Sequence, residues 1–345
     1  MSIFKDVDKI ESWKYILATE IPFLKLKKGT IINDYIKISL KKNGVFIVPV
    51  FQNKASEVSV IDKKIIEKSY AVIKEKFQKL QIDSKINAEI IDEISQGISD
   101  SIDKNFGDFL YLPLKKLKDF DEYTFTHSLN VGTIAALIAK SMNLPKKTLN
   151  KVVISGILHD VGKSKLNVDI LNAPRKLTLE EFKHIKDHVI YGKNILLENN
   201  VTDKEIIDGV LYHHERYDGN GYQSGLINNE IPLFGKLIGI ADIYDALTSR
   251  RTYKDIWNNY KVVSHIIQNS CKMFDPTIIN YFLKIFGLYP PGTIVQLNDR
   301  RTGTVVASRK DNELQPLVQI GSTVIDLKEK GMFILNALEG DENFE

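Results

Sequence analysis

His159-Asp160-Val161-Gly162-Lys163, near the middle of the chain, is the stretch whose reading decides the fold. An adjacent imidazole and carboxylate, arriving at the end of an apolar helical run from Leu149 to Leu158, offer two ligand atoms to a metal and need partners from elsewhere. Outward from this pair lie His127, then His188, the adjacent His213-His214, and Asp242. Five of the chain's seven histidines belong to this spaced set. Each member falls in or at the end of an expected helix, so side chains distant in sequence converge in the core of a helical bundle. Imidazole and carboxylate without thiolate suit Mn, Fe or Zn, and one carboxylate can bridge two ions. Seven such groups are too many for one ion. Neighbouring residues on a helix point about 100° apart. Burying both rings of His213-His214 without polar partners would cost on the order of several kcal/mol, a cost that two metals to face would remove.

The flanks also read as helix. Ser128 to Met142 holds Val131, Ile134, Leu137 and Ile138 at i, i+3, i+4 spacing before Asn143-Leu144-Pro145. Thr178 with Glu181 three residues on forms a capping box opening a helix expected to run through Leu197. Asp203 to His213 and Pro232 to Ser249 continue the series, and Asp275-Pro276 opens a last helix. Nearer the N-terminus, Ile36 and Ile38, then Asn43-Gly44, then Val45 to Phe51 predict a β-hairpin turning at Asn-Gly. Ile86, Ile90, Ile94 and Ile98 step by four along one helical face, a stripe that either packs on its own domain or pairs two subunits in a homodimer. After Tyr289-Pro290-Pro291-Gly292 the pattern alternates, with Gly303 and Asn312 as turn residues, which predicts a small β appendage. The expected division is an N-terminal α/β region over 1–110, a helical domain over 111–287, the β appendage over 288–338 and an acidic tail over 339–345.

Composition narrows the function classes. The 345 residues are 43% hydrophobic and 26% charged, which is globular. Forty-seven Lys+Arg against 44 Asp+Glu leave a formal charge of +3, too even for binding along a nucleic-acid backbone, so nucleic acid is not an expected partner. The single cysteine, Cys271, provides neither an internal disulfide framework nor a thiolate-rich metal knot and fits a reducing compartment. The first residues carry acids where a signal peptide needs a basic start and an apolar run, and no stretch nears the ~18 apolar residues of a membrane span. The expectation is a cytoplasmic protein without membrane association.

His159-Asp160-Val161-Gly162-Lys163 resembles the HD-x-G-K signature of HD-domain metal phosphohydrolases. His213-His214-Glu215-Arg216-Tyr217-Asp218-Gly219-Asn220-Gly221-Tyr222, with Ile240-Ala241-Asp242-Ile243-Tyr244-Asp245-Ala246-Leu247-Thr248-Ser249-Arg250-Arg251-Thr252-Tyr253-Lys254 and Phe274-Asp275-Pro276, is similar to the HD-GYP subfamily. Tyr123-Thr124-Phe125-Thr126-His127-Ser128 resembles that subfamily's opening helix, and the likeness covers about half the chain, Asp119 to Phe286. The expected fold is therefore mainly α: an HD-type helical bundle with the small N-terminal α/β region and short C-terminal β appendage.

The resemblance implies a metal-dependent phosphodiesterase that hydrolyses cyclic di-GMP to linear pGpG, or on to GMP, by attack of a metal-bridging hydroxide. The alternatives are an HD phosphohydrolase acting on cyclic GMP-AMP or another nucleotide, and a non-catalytic cyclic-dinucleotide sensor. Carried over by position, His127, His159, Asp160 and Asp242 would hold one divalent ion, Fe or Mn. Asp160, as bridge, with His188, His213 and His214 would hold a second. Asp160 and Lys163 are the catalytic candidates, and Lys163, Arg251 and Lys254 the substrate-phosphate candidates. Cyclic di-GMP and signalling proteins such as a diguanylate cyclase are the implied partners. His184 competes with His188 as a ligand, and the match to the family selects His188, while His265 reads as structural. Tyr123 stands where some members carry a glutamate for a third metal, and Glu122 is one residue off that face, so two metals are expected. Gln223 stands where the family name calls for proline, which leaves that loop less pre-set without removing a ligand.

Overall fold

The protein is described by a computed structural model over residues 3–10, 15–24, 26, 32, 34–52, 86, 88–105, 109–110, 123–171, 173, 175–249, 257–309, 312–321 and 323–338. It folds as two units. One draws on Met1–Val60, Gly107–Pro113 and Phe286–Glu345, the other on Ile61–Phe106 and Leu114–Ile285.

In the first unit, β1 (Ile3–Asp6), β2 (Tyr15–Leu17) and β3 (Ile47–Gln52) form an antiparallel sheet in the order β1-β3-β2. Helix α1 (Asp34–Lys42) contributes to the same apolar core, which corrects the expected hairpin. Ile32, Ile36 and Leu40 recur every four residues and all are buried, a period that suits one face of a helix. Asn43-Gly44 closes that helix instead of turning between strands: Gly44 has φ +75°, and its N–H donates to the Lys41 carbonyl at 3.0 Å.

The second unit is the bundle. Helices α2 (Ala88–Asn105), α3 (Tyr123–Ser141) and α4 (Lys146–Leu158) lead into a 3-10 turn over Val161–Lys165. There follow α5 (Val168–Leu171), α6 (Leu179–Lys186), α7 (His188–Glu198), α8 (Lys204–Tyr212), α9 (Leu233–Thr248), α10 (Asn259–Gln268) and α11 (Pro276–Phe286). Ile94, Ile98 and Ile102 of α2 are buried, and α2 packs on α3 and α4. The isoleucine stripe thus lies inside the bundle unit.

Helices α3 and α4 cross almost backbone to backbone. A Cβ on Gly156 would stand 2.4 Å from Gly132 Cα, and this closeness sets the spacing between His127 on α3 and His159 at the end of α4. The capping box forms as read: Glu181 N–H donates to Thr178 Oγ1 at 3.2 Å, and Thr178 N–H to Glu181 Oε2 at 2.8 Å. The single helix expected through Leu197 is broken, however. The Asp187 N–H bonds back to the His184 carbonyl at 3.1 Å, tightening the turn, and a new helix starts at His188.

In the first unit again, β4 (Phe109–Leu110) joins β5 (Ile294–Leu297), β6 (Thr302–Arg309), β7 (Leu317–Ile320), β8 (Thr323–Asp326) and β9 (Ile334–Leu338) in one antiparallel sheet, β8-β7-β6-β5-β9 with β4 on β6. Gly303 is not a turn residue, because it pairs with Val295 inside the ladder. The turn lies just before it, where Arg300 takes φ +70°. Among the described residues no helix is long and apolar enough to cross a membrane. The acidic segment 339–345 lies outside the described residues.

Candidate metal centre

Three of the histidines are presented by one local device. His159 follows α4, His188 opens α7 and His213 follows α8, and each ring Nδ1 lies against the carbonyl three residues back: Gly156 at 2.7 Å, Ile185 at 2.8 Å and Val210 at 2.9 Å. His127 reaches a carboxylate instead, with Nδ1 2.8 Å from Asp245 Oδ2. Since these oxygens only accept, Nδ1 carries a proton in each ring and Nε2 is the atom turned away towards the other donors. The Nε2 atoms of His159, His188 and His213 and the Oδ1 of Asp160 are buried without a hydrogen bond. Leaving a buried polar group unpaired costs ~1–3 kcal/mol. Four such atoms pointing at one another make a site for a cation.

The donors fall into two sets. One ligand atom each from Asp160, His188, His213 and His214 lie within 4.8 Å of one another, and the same holds for His127, His159 and Asp242. Asp160 stands between them, its Oδ2 3.2 Å from His159 Nε2 and its Oδ1 3.3 Å from His188 Nε2. Nitrogen and oxygen donors in this number and burial fit a divalent metal ion.

Charge is arranged to match. Burial pushes the Asp160 carboxyl up, but His159 and Lys163 outweigh it and hold the group well below the usual carboxylate range. Burial raises Asp242 likewise, and its hydrogen bond to His127 wins and lowers it. Burial lowers His213 far below an ordinary imidazole, helped by His214, and brings His214 down to about 4. Both rings are therefore neutral and ready to ligate at neutral pH. His127 is the exception: burial depresses it, yet Asp242 and Asp245 prevail and raise it to about 9.

All seven sequence-predicted ligands are thus brought together, and Lys163 joins them with Nζ 2.5 Å from Asp160 Oδ2. Arg251 and Lys254, like Glu122, lie outside the described residues, and Tyr123 is described only as the first residue of α3. His184 stays apart, its ring 43% exposed and its nearest acid Asp187 at 3.9 Å, while His265 packs edge-on to Trp257. The sequence reading left Asp245 out of the site. Its Oδ2 holds His127, and its Oδ1 accepts from Asn130 Nδ2 at 2.6 Å and Ser249 Oγ at 2.9 Å. Its position three residues after Asp242, on the same helical face, was the available signal.

The HD domain family matches residues 114–278. A cyclic di-GMP phosphodiesterase of Pseudomonas aeruginosa is 34% identical over 239 residues, covering 69% of this chain and 56% of its own. A cyclic di-GMP phosphodiesterase of Thermotoga maritima is 35% identical over 185 residues, 52% of this chain and 50% of its own. The chain belongs to the HD-GYP family.

A 3'3'-cGAMP-specific phosphodiesterase of Vibrio cholerae shares 30% identity with this HD-GYP chain over 162 residues, 47% of this chain and 31% of its own. Among solved structures, an HDG"Y"P protein from Bdellovibrio bacteriovorus aligns with a TM-score of 0.50 at 14% identity, covering 83% of this chain and 99% of that one, a likeness of fold. The chain spans about half the length of the two cyclic di-GMP phosphodiesterases. Beside the histidines of this HD-GYP domain opens a cavity of 310 Å³, lined by His213, His214 and Asp242 on one side and by Tyr222, Lys186 and Lys236 elsewhere.

Proposed function

We propose that this HD-GYP chain is a phosphodiesterase that opens cyclic di-GMP to linear pGpG with two divalent ions, iron or manganese. His127, His159 and Asp242 with Asp160 would hold one ion, and Asp160 with His188, His213 and His214 the other. The observation that carries the reading is the place of Asp160, within 3.3 Å of a histidine Nε2 from each donor set.

Bound together, two divalent ions polarise a phosphodiester and lower the pKa of an attacking water. The chain's own residues do the rest. Asp160, held ionised, keeps the two donor sets in register, and the Nδ1 anchors keep the imidazole lone pairs turned inward. Lys163, 40% exposed at its side chain, gives a mobile positive charge to a non-bridging phosphate oxygen or the leaving oxygen. Arg251 adds a planar fork for phosphate and Lys254 a further point charge. The bundle unit, with α2 packed on α3 and α4, carries the catalytic centre, and the protein works in the cytoplasm alongside a diguanylate cyclase.

Cyclic GMP-AMP is the second reading for the substrate, favoured by the Vibrio cholerae relative's specificity. The deciding experiment incubates anaerobically purified protein with each cyclic dinucleotide and Mn²⁺ or Fe²⁺ and separates the products by chromatography. The expected product is pGpG from cyclic di-GMP without inorganic phosphate. Release of phosphate would make the protein a monoesterase, and saturable binding without product would make it a sensor.

A further inference from the structure

His214 is held differently from the other ligands. His127, His159, His188 and His213 each lean Nδ1 on a carboxylate or carbonyl oxygen, whereas the His214 ring makes no hydrogen bond within the described residues. Its support comes from rings: the His213 ring is tilted at 4.1 Å and 43°, the His188 ring is edge-on at 5.2 Å, and the Tyr222 ring alone among these stacks on it, 4.7 Å away, centroid to centroid, at an interplanar angle of 27°. The Tyr222 backbone N–H also donates to the His214 carbonyl at 3.2 Å. An imidazole without a hydrogen-bonded back side swings about its χ angles unless something packs on its face.

The loop that carries Tyr222 is pinned by one side chain. Glu215, adjacent to His214 and only 8% exposed, accepts at Oε1 from Ser224 N–H (2.7 Å) and Gly225 N–H (3.2 Å), and at Oε2 from Leu226 N–H (3.2 Å). The residue after Tyr222 is Gln223 at φ 156°, a value that a proline ring, fixed near −65°, does not reach. The path of this loop is therefore set by the carboxylate and not by a rigid imide. This sharpens the sequence expectation, in which loss of the proline left the loop merely less pre-set.

We propose that Glu215 is a positioning residue that orients the metal ligand His214 by clamping Tyr222 onto its ring. The inference rests on the metal-centre reading above. It differs from a purely structural role for Glu215 because it requires the effect to pass through one imidazole.

The test is metal uptake by the full chain, with no diester present: Mn²⁺ titration calorimetry and the visible absorption of Co²⁺-loaded protein. Glu215→Ala and Tyr222→Ala should each weaken loading of the Asp160, His188, His213 and His214 set about 10–100-fold, the usual effect of removing support behind a ligand, and should shift the Co²⁺ bands. Tyr222→Phe keeps the stack and should load like wild type, and Glu215→Gln keeps one accepting oxygen and should fall between. The double alanine variant should be no weaker than the weaker single one, since both changes act on the same ring. Wild-type affinity and spectrum in both alanine variants, or losses that multiply in the double variant, would overturn the proposal. Should Glu215→Ala not fold, the comparison of Tyr222→Ala with Tyr222→Phe decides alone, and equal loading by those two overturns it. A wild-type chain that takes up no metal removes the metal-centre reading and this inference together. A wild type that loads, beside alanine variants that load equally well, removes only this one.

Discussion

Asp245→Asn probes the centre from behind with little change in volume. The native carboxylate is 1% exposed and faces donors only: His127 Nδ1–H on one oxygen, Asn130 Nδ2–H and Ser249 Oγ–H on the other. An amide offers one accepting oxygen and one NH₂. Turned with NH₂ towards His127, it forces the ring to accept at Nδ1 and carry its proton on Nε2, the atom 3.2 Å from Asp242 Oδ1 that should face metal. Turned the other way, it keeps an accepting oxygen for His127 but sets NH₂ against Asn130 Nδ2–H and Ser249 Oγ–H, so that the Asn130 amide and the Ser249 hydroxyl must both reorient to accept, and His127 leans on a neutral amide oxygen where it had a carboxylate. Replacing such an outer partner of a ligand histidine costs about 10–100-fold in metal affinity, or ~1.4–2.7 kcal/mol. Mn²⁺ titration of Asp245→Asn at pH 7 should therefore show weakened loading of the His127, His159 and Asp242 set, with the other set unchanged. Circular dichroism and a melting curve without metal establish that the variant is folded. Wild-type affinity for both ions in folded Asp245→Asn would refute the reasoning.

Gly162→Ala places a Cβ 1.9 Å from the His188 carbonyl oxygen and 2.4 Å from Gly192 N, backbone atoms that cannot rotate aside. Overpacking of this kind costs ~1–3 kcal/mol, so thermal melts should show a lowered Tm and rates should fall further as His188 is displaced; wild-type values for both would contradict the packing. Asp160→Ala removes the group shared by both donor sets and should abolish turnover in a product assay, against which a wild-type rate would count decisively. In His127, Asp242 and Asp245 overcome the depressing effect of burial and raise the pKa to about 9. Below that pH a proton on Nε2 must leave before metal binds, so affinity of that set should rise from pH 6 to pH 8 by up to about tenfold per unit, with proton release visible as buffer-dependent calorimetric heat. The same raised pKa stabilises the metal-free fold fully below an ordinary histidine's ~6.5 and loses that contribution as pH climbs through about 9. A melting temperature that instead rises over that interval would contradict it.

The candidate ligand set, and its convergence into two donor groups, was legible in the sequence because the chemistry of His and Asp is carried by identity: few other residues hold a divalent ion, and their order along the chain resembles a known family. The bundle was legible from apolar spacing. What stayed hidden depended on contacts between distant segments or on signals with two meanings. Asn43-Gly44 supplies positive φ to a hairpin turn and a helix end alike, and only the burial of Ile32, Ile36 and Leu40 on one face decides between them. The break before His188 has no proline or glycine to mark it, since Asp187 simply bonds back to His184. Gly303 resembles a turn glycine, but a Cβ there would stand 2.5 Å from Val318 Cγ1, a neighbour known only once β6 and β7 are paired. Asp245 and Glu215 look like ordinary acids until the donors they accept from, on another helix or ten residues along a folded loop, are in place.

Anomalous diffraction from crystals of the active, anaerobically prepared protein, recorded at the manganese and iron edges, tests the central claim most directly. The account predicts two peaks on either side of the Asp160 carboxylate, one among His127, His159 and Asp242 and the other among His188, His213 and His214. A single peak, or active crystals with none, would contradict it.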